Sequence, residues 1–232
     1  MTPLNWAPPL LAPWRLAHGL RKHPSAILLG VQLLGILSYP LMENTGIGRA
    51  LFGAMSIAVL SLVLWVVNRA SAHWVAWLLA VPSVTMSLLA NFAGMPGLLP
   101  WAHALEAILY FYAVAGLIRY MLGDMRVTTD ELVAAATTFT LLAWAFAYAF
   151  SACQAWLPGS FSDVSVPPQP RTWMELLFLS FSILSGVGLS DIVPLSPLAR
   201  ALTMLAMFAG VMYIAIVVSR LIALTVIRQQ RH

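Results

Sequence analysis

Apolar residues occur along this chain in long runs that short polar connections separate. Each of six runs is long enough for a helix to cross a bilayer core of about 30 Å. Backbone polar groups must be satisfied internally in lipid, so the pattern predicts a polytopic, all-α membrane protein. The six predicted spans are Ser25–Met42, Ala50–Val67, His73–Asn91, Trp101–Leu122, Glu131–Leu157 and Ala199–Ile227.

A further apolar run, Thr172–Leu184, is too short to span a bilayer and too apolar for a solvated loop. The glycine-containing stretch Ser185–Asp191 follows it, and a proline turn then leads into the last span. The order of a half-helix, an extended loop, an exit turn and a spanning helix is that of a re-entrant pore loop, which is therefore the prediction here. A plain connection between two ordinary helices is the alternative, but it explains neither the apolar half-helix nor the aspartate-proline exit from Asp191 to Pro194.

The composition agrees with a membrane location. Of the 232 residues, 61% are hydrophobic and 9% are charged, whereas a soluble domain carries roughly 25% charged residues. The net charge of +4 is scattered over the predicted membrane loops, which favours the lipid bilayer and not a nucleic acid as the partner. The single cysteine, Cys153, excludes an intrachain disulfide and is expected to be a buried apolar side chain.

The distribution of Lys and Arg predicts the orientation. Nine basic residues fall inside and three outside if the N-terminus is cytoplasmic, which predicts a multi-pass protein of the inner (plasma) membrane with both termini in the cytoplasm. Residues 1–24 predict an amphipathic interfacial helix on the cytoplasmic surface, with a disordered basic tail as the alternative. The inside residues are Arg15, Arg21, Lys22, Arg69, Arg119, Arg126, Arg220, Arg228 and Arg231; the outside residues are Arg49, Arg171 and Arg200.

The stretch 185–191 has a chemistry that suits a permeant cation. A cation that crosses a membrane must exchange its water shell for oxygens, which the backbone carbonyls of an extended loop can supply. Glycines allow the alternating dihedrals that turn consecutive carbonyls to one side. Because several loops must surround one axis, a chain with one such loop must form a homo-oligomer. No enzyme activity and no cofactor are expected, since the sequence shows no nucleophile triad, phosphate loop or metal-ligand cluster.

Several residues of this region recur in a known family. Val187, Gly188 and Asp191 match the middle and end of a T-V-G-Y-G-D sequence, and Arg200 and Gly210 follow at matching distances. Residues 172–226 thereby resemble the pore region of the tetrameric potassium channel superfamily, and the whole chain is similar to a bacterial six-helix member. The resemblance implies a re-entrant pore helix, a homotetramer around a central pore, and a selectivity filter. The filter residues would be Ser185, Gly186, Val187, Gly188, Leu189, Ser190 and Asp191.

Three of these filter positions depart from the family pattern. Gly186 stands in place of the threonine whose hydroxyl lines the innermost ion site, and Leu189 stands in place of the tethering tyrosine. Ser190 replaces the second glycine, where a non-glycine in a left-handed conformation would cost about 1–3 kcal/mol. We therefore expect the pore architecture to be kept and the filter geometry and K⁺ selectivity to be altered. The expected permeant ion is K⁺, with Na⁺ as the alternative.

The last span carries a candidate gate. Gly210 is a candidate hinge, with close helix packing as the alternative. From Gly210 onward, Val211, Ile214, Val218 and Ile222 recur at spacings of three to four and form one stripe. A ring of such side chains can close a pore by dewetting. The alternative is that these side chains face lipid or other helices.

The first four spans lack the regularly spaced arginines of a voltage sensor, since only Arg119 lies within them, near one end. His103 and Glu106 form a possible intramembrane ionisable pair on one helix face. A proton-sensitive pair, a buried tether to another helix and a hydrogen-bonded structural pair are all compatible with this spacing.

The predicted organisation has three parts: the interfacial segment 1–24, a four-helix transmembrane domain at 25–128, and a pore domain at 129–228. The predicted function is passive cation conduction as the pore-forming subunit of a potassium-channel-like channel that no arginine-bearing sensor gates. A non-conducting channel-fold protein that acts as a structural or regulatory subunit is the alternative.

Overall fold

The computed structural model describes residues 24–42, 59, 61–63, 73–123, 129–163 and 169–229. These residues are mainly helical, and a short two-stranded sheet joins two of the connections. The elements are α1 (Pro24–Met42), α2 (His73–Phe92), a 3₁₀ turn (Pro96–Leu98), α3 (Leu99–Gly123), α4 (Thr129–Trp156), β1 (Phe161–Asp163), α5 (Trp173–Leu184), β2 (Ile192–Pro194) and α6 (Pro197–Gln229).

The helices lie where the apolar runs predicted them. Helices α1, α2, α3, α4 and α6 each coincide with one predicted span to within two residues at either end, and α5 coincides with the predicted half-helix. Most of the second predicted span, Ala50–Val67, lies outside the described residues, although Val59 and residues 61–63 are helical. The predicted interfacial segment 1–24 also lies outside them, apart from Pro24.

Three stretches of the described chain are long and apolar enough to cross a membrane. They are Pro96–Gly123, Leu132–Trp156 and Pro197–Arg220, and shorter apolar helices accompany them. The protein is therefore a multi-pass membrane protein with a predominantly helical fold.

Helix α4 is the centre of the packing. It contacts α1, α3, α5 and α6. Its alanines Ala143, Ala145 and Ala147 are fully buried, and such small side chains let neighbouring helices approach closely. On the same helix, the large side chains of Trp144 and Phe150 are also fully buried. This arrangement holds the half-helix α5 and the last helix α6 against one rigid support.

A small sheet, which the sequence did not predict, accompanies the helices. Strands β1 and β2 pair antiparallel, with Phe161 opposite Pro194 and Asp163 opposite Ile192. Phe161 is buried, and the Leu195 amide donates to the Ser160 carbonyl at 2.8 Å. Three-residue strands are too short to show an alternating pattern in the sequence. The sheet fastens the exit of the stretch 185–191 to the chain just beyond α4.

Candidate pore loop

The half-helix α5 begins at a capping box. The Thr172 hydroxyl accepts from the Glu175 amide at 3.3 Å, and the Glu175 carboxylate accepts from the Thr172 amide at 2.6 Å. Both bonds satisfy amides that a helix start otherwise leaves without partners. An ion pair of 3.5 Å between Arg171 and Glu175 reinforces the same turn. The start of α5 is therefore specified by neighbouring residues, within Arg171–Glu175.

The side chain of Gln154, near the end of α4, holds the chain just before α5. Its amide nitrogen donates to the Arg171 carbonyl at 2.7 Å, and its carbonyl oxygen accepts from the Arg171 amide at 2.9 Å. Further along, the Ser180 hydroxyl donates to the Ala143 carbonyl at 2.8 Å. These bonds attach α5 to α4 at two levels, and sequence reasoning identified neither, because both depend on which helices meet.

The stretch 185–191 leaves α5 through two left-handed glycines. Gly186 has φ of +74° and Gly188 has φ of +69°. The Gly186 amide donates to the Ile183 carbonyl at 3.1 Å, and the Gly188 amide donates to the Ser182 carbonyl at 3.1 Å. The stretch thus folds back over the end of α5 before it extends toward β2.

The structure corrects the expected strain at Ser190. Within the described residues, positive φ occurs only at glycines, so Ser190 does not adopt the left-handed conformation. Its hydroxyl instead accepts from the Ile192 amide at 3.1 Å, which closes a short turn before β2. The left-handed positions in this stretch are Gly188 and Gly186, and at Gly186 the resembled family carries threonine.

The remaining side chains of the stretch point away from the rest of the chain. Val187 is 70% exposed and Leu189 is 68% exposed, and Asp191 is also exposed. Apolar side chains of this size are rarely left uncovered together in a finished membrane protein unless lipid or another chain covers them. The stretch is therefore supported from behind by α5 and open on its other side.

Gly210 on α6 packs against the end of α5. It is buried, and a Cβ atom added there would lie 2.6 Å from the Leu184 Cα and 2.7 Å from the Leu184 carbonyl carbon. Only glycine allows α6 to approach this backbone so closely. This contact supports the close-packing interpretation of Gly210, while its role as a hinge stays a prediction.

The side chains of the predicted gate stripe on α6 are exposed, whereas Gly210 is buried. All four side chains are between 41% and 61% exposed in the single chain. Such exposure fits a pore lining, and it equally fits a lipid-facing surface. Its members are Val211, Ile214, Val218 and Ile222.

His103 and Glu106 have different partners. His103 Nδ1 lies 2.9 Å from the Ser151 hydroxyl on α4. The buried Glu106 side chain is hydrogen-bonded to Ser83 and Ser87 on α2. The two residues thus connect α3 to two separate helices, which favours the tether among the three interpretations of this pair.

Comparison with known families identifies the part of the chain that contains these features. Residues 135–226 match the family model described as an ion channel. These residues, about two fifths of the chain, are therefore similar to an ion-channel domain, and we call them the ion-channel-like domain. The domain runs from α4 through the small sheet, α5 and the stretch 185–191 into α6, and the first 134 residues lie outside the match. No curated protein and no solved structure matches the chain.

The similarity to an ion-channel domain covers most of the features described above. Its matched residues include the capped half-helix, the two left-handed glycines and the contact between Gly210 and Leu184. Within this domain, sequence reasoning missed the bond from Ser180 to α4 and the support of α5 by Gln154. A polar residue in the last turns of an apolar helix is the signal that could have found it.

Proposed function

We propose that the protein is the pore-forming subunit of a potassium-channel-like cation channel, and that Ser185–Asp191 is its selectivity filter. The observation that carries the proposal is the alternation of Gly186 and Gly188, both at positive φ, with two exposed apolar residues at the end of a capped half-helix. An alternating backbone of this kind can direct successive carbonyl oxygens toward one axis.

The proposed assembly is a homotetramer. One chain supplies a single loop, and several loops are needed to replace the water shell of an ion. The exposed Val187 and Leu189 support this arrangement, because neighbouring copies around an axis would cover them. Asp191 would form an acidic ring at the outer mouth, which attracts cations. The termini would lie in the cytoplasm of a cell whose plasma membrane holds the channel.

The proposed selectivity for K⁺ over Na⁺ is weak. The innermost ring of threonine hydroxyls is missing because Gly186 carries no side chain, and Leu189 cannot form the hydrogen bond of the family tyrosine. Fewer fixed oxygens and fewer tethers leave the filter less able to reject the smaller ion.

A liposome flux assay tests the proposal. Purified protein in vesicles should carry K⁺, Rb⁺ and, to a smaller degree, Na⁺ down their gradients. Gly188→Ala should reduce the flux by about tenfold or more, since alanine is strained at a φ of +69° and the strain recurs in each subunit.

A matched control separates backbone strain from a filter defect. Gly94, between α2 and α3, has φ of +67° and open space around it, as does Gly188. Gly94→Ala introduces the same local strain outside the ion-channel-like domain and should leave the flux within about twofold of the wild type. Absence of flux for every cation at all pH values and voltages would overturn the proposal, and so would equal effects of the two alanines.

A further inference from the structure

The carboxyl group of Glu106 is buried between α3 and α2, within the span that α3 forms. Glu106 is 8% exposed and lies about 10 Å along α3 from Leu99, at 1.5 Å per residue. It is hydrogen-bonded to the hydroxyl groups of Ser83 and Ser87 on α2. An ionisable side chain inside a membrane span is costly and usually functional, and the proposed pore does not use this one.

Among the described residues, no positive charge balances Glu106. His103, one turn earlier on α3, is turned toward α4, where its ring lies 5.6 Å from that of Tyr148. Tyr110, one turn later, interacts with Glu106 and stacks on Tyr148 at 5.5 Å, but phenols are neutral at ordinary pH. On α2, the described side chains of residues 74–90 include no ionisable group. The carboxyl therefore faces neutral polar groups from α2, α3 and α4.

The hydroxyl of Ser83 is better satisfied when Glu106 carries a proton. Its oxygen also lies 3.5 Å from the backbone carbonyl of Ala102 on α3. Because a hydroxyl has one proton, Ser83 cannot donate both to this carbonyl and to an ionised carboxylate. A protonated Glu106 can donate to Ser83, which can then donate onward to Ala102. The protonated form thus gives each of these buried groups a partner.

We propose that Glu106 is a proton-binding site that controls the contact between α2 and α3. With its proton, the carboxyl joins the two helices as they are packed in this structure. When the proton passes to water, a carboxylate without a counter-charge is left in a buried site, which costs far more free energy than a neutral carboxyl does. The contact between α2 and α3 then has to open until water reaches the carboxylate. This inference goes beyond the proposed conduction and does not depend on it.

Thermal unfolding of the purified full chain in detergent, followed from about pH 5 to about pH 9, tests the site. An exposed glutamate of the unfolded chain is ionised above about pH 4.3, so the folded chain holds one proton more and its stability falls as the pH rises. Glu106→Gln is neutral at every pH and can still donate to Ser83. Relative to this variant, the wild type should lose about 3 °C in its unfolding midpoint for each pH unit until the proton is released.

Two control variants separate Glu106 from other titrating groups. His103→Gln should keep the pH dependence of the wild type, because His103 has its own partners on α4. Glu175→Gln removes a carboxylate that is 40% exposed and paired with Arg171, and it should keep that dependence as well.

Infrared spectroscopy adds a readout that a purely structural contact would not change. A protonated carboxyl absorbs apart from a carboxylate, so the wild type should show a protonated-carboxyl band at neutral pH that disappears at high pH and that Glu106→Gln lacks. The inference is overturned if Glu106→Gln follows the wild-type pH dependence, if His103→Gln abolishes that dependence, or if the wild type shows no such band. If Glu106→Gln does not fold, the infrared titration of the wild type decides. Neither measurement involves ion flux, so failure here is distinguishable from failure of the proposed channel.

Discussion

At the scale of single residues, Gly186 defines how this loop differs from the family it resembles. A threonine at this position would supply a hydroxyl, but the backbone here has φ of +74°, which disfavours a β-branched side chain. The departure at Gly186 is therefore a change in backbone conformation as well as the loss of an oxygen. Ser190, by contrast, makes a hydrogen bond of its own to the Ile192 amide and needs no glycine conformation.

This difference predicts opposite results for partial and complete restoration of the family filter. Gly186→Thr alone should reduce K⁺ flux, because threonine at positive φ costs on the order of 1–3 kcal/mol in each subunit. The triple change Gly186→Thr, Leu189→Tyr and Ser190→Gly should raise the permeability ratio of K⁺ to Na⁺ in planar bilayers. The control for strain is Gly94→Thr, which should leave the ratio unchanged. An unaltered ratio in the triple variant would show that these three positions do not set selectivity.

At the scale of elements, the contact between α6 and the end of α5 links the last helix to the proposed filter. Leu184, whose backbone meets Gly210, is the last residue of α5 before the stretch 185–191. If α6 is displaced near Gly210, either the Leu184 backbone moves with it or the contact between Gly210 and Leu184 is lost. Gly210, the candidate hinge of α6, thus also contacts the residue of α5 that precedes the loop.

Gly210→Ala should destabilise the protein by about 2 kcal/mol or more, because the added methyl group overlaps backbone that cannot move as a flexible side chain could. Gly30→Ala is the matched control. Gly30 lies within α1 with open space around it, so alanine there should stabilise by about 0.5–1 kcal/mol through its higher helix propensity. Thermal unfolding in detergent, compared across both variants, measures the difference. Equal stability of the two variants would contradict the close contact.

The attachment of α5 to α4 gives a second prediction at this scale. Gln154→Met keeps the size of the side chain but removes both hydrogen bonds to Arg171, which leaves backbone groups near the start of α5 without partners. We expect a loss of about 1–3 kcal/mol in the free energy of unfolding, measured by the same method. Gln169→Met, at an exposed position, should change stability by less than about 0.5 kcal/mol.

The helices of this fold were predictable from sequence, and their contacts were not. Long apolar runs predict α3, α4 and α6 because a helix satisfies all of its own backbone hydrogen bonds in lipid. The glycines of the loop were visible as residues, but glycine populates both signs of φ, so the left-handed state of Gly186 could not be assigned. The partner of Gly210 and the pairing of Gln154 depend on how helices meet in space, which a single periodic pattern does not encode.

At the scale of the whole molecule, buried polar contacts join α1 to the ion-channel-like domain. The Thr140 hydroxyl on α4 donates to the side-chain Oε1 of Gln32 on α1 at 2.8 Å, and the Thr137 hydroxyl donates to the backbone carbonyl of Ser25 at 2.9 Å. Gln32 and Thr140 are both buried, as expected for a residue that holds helices together. The helices before the domain are therefore attached to its central helix and not merely tethered by a linker.

A double-mutant cycle measures this attachment. Thr140→Val and Gln32→Leu each remove one partner, and the combination removes both without leaving either polar group alone. We expect a coupling energy of about 0.6–1.7 kcal/mol, the range for interhelical hydrogen bonds in membranes. Additive effects of the two substitutions on unfolding would mean that the pair makes no net contribution.

The charge distribution over the whole molecule predicts that the open probability depends very little on voltage. Moving one elementary charge across the full membrane potential changes the energy by about 2.3 kcal/mol per 100 mV. Among lysines and arginines, Arg119 is the residue that lies within the first four predicted spans, and it is exposed in the last turns of α3. A charge at the membrane boundary crosses little of the transmembrane field when its helix moves. Open probability in single-channel recordings should therefore differ by less than about threefold between −100 and +100 mV. Arg119→Gln should leave this shallow dependence unchanged, because the residue does not act as a gating charge. A steep dependence that Arg119→Gln abolished would mean that α3 moves through the field after all.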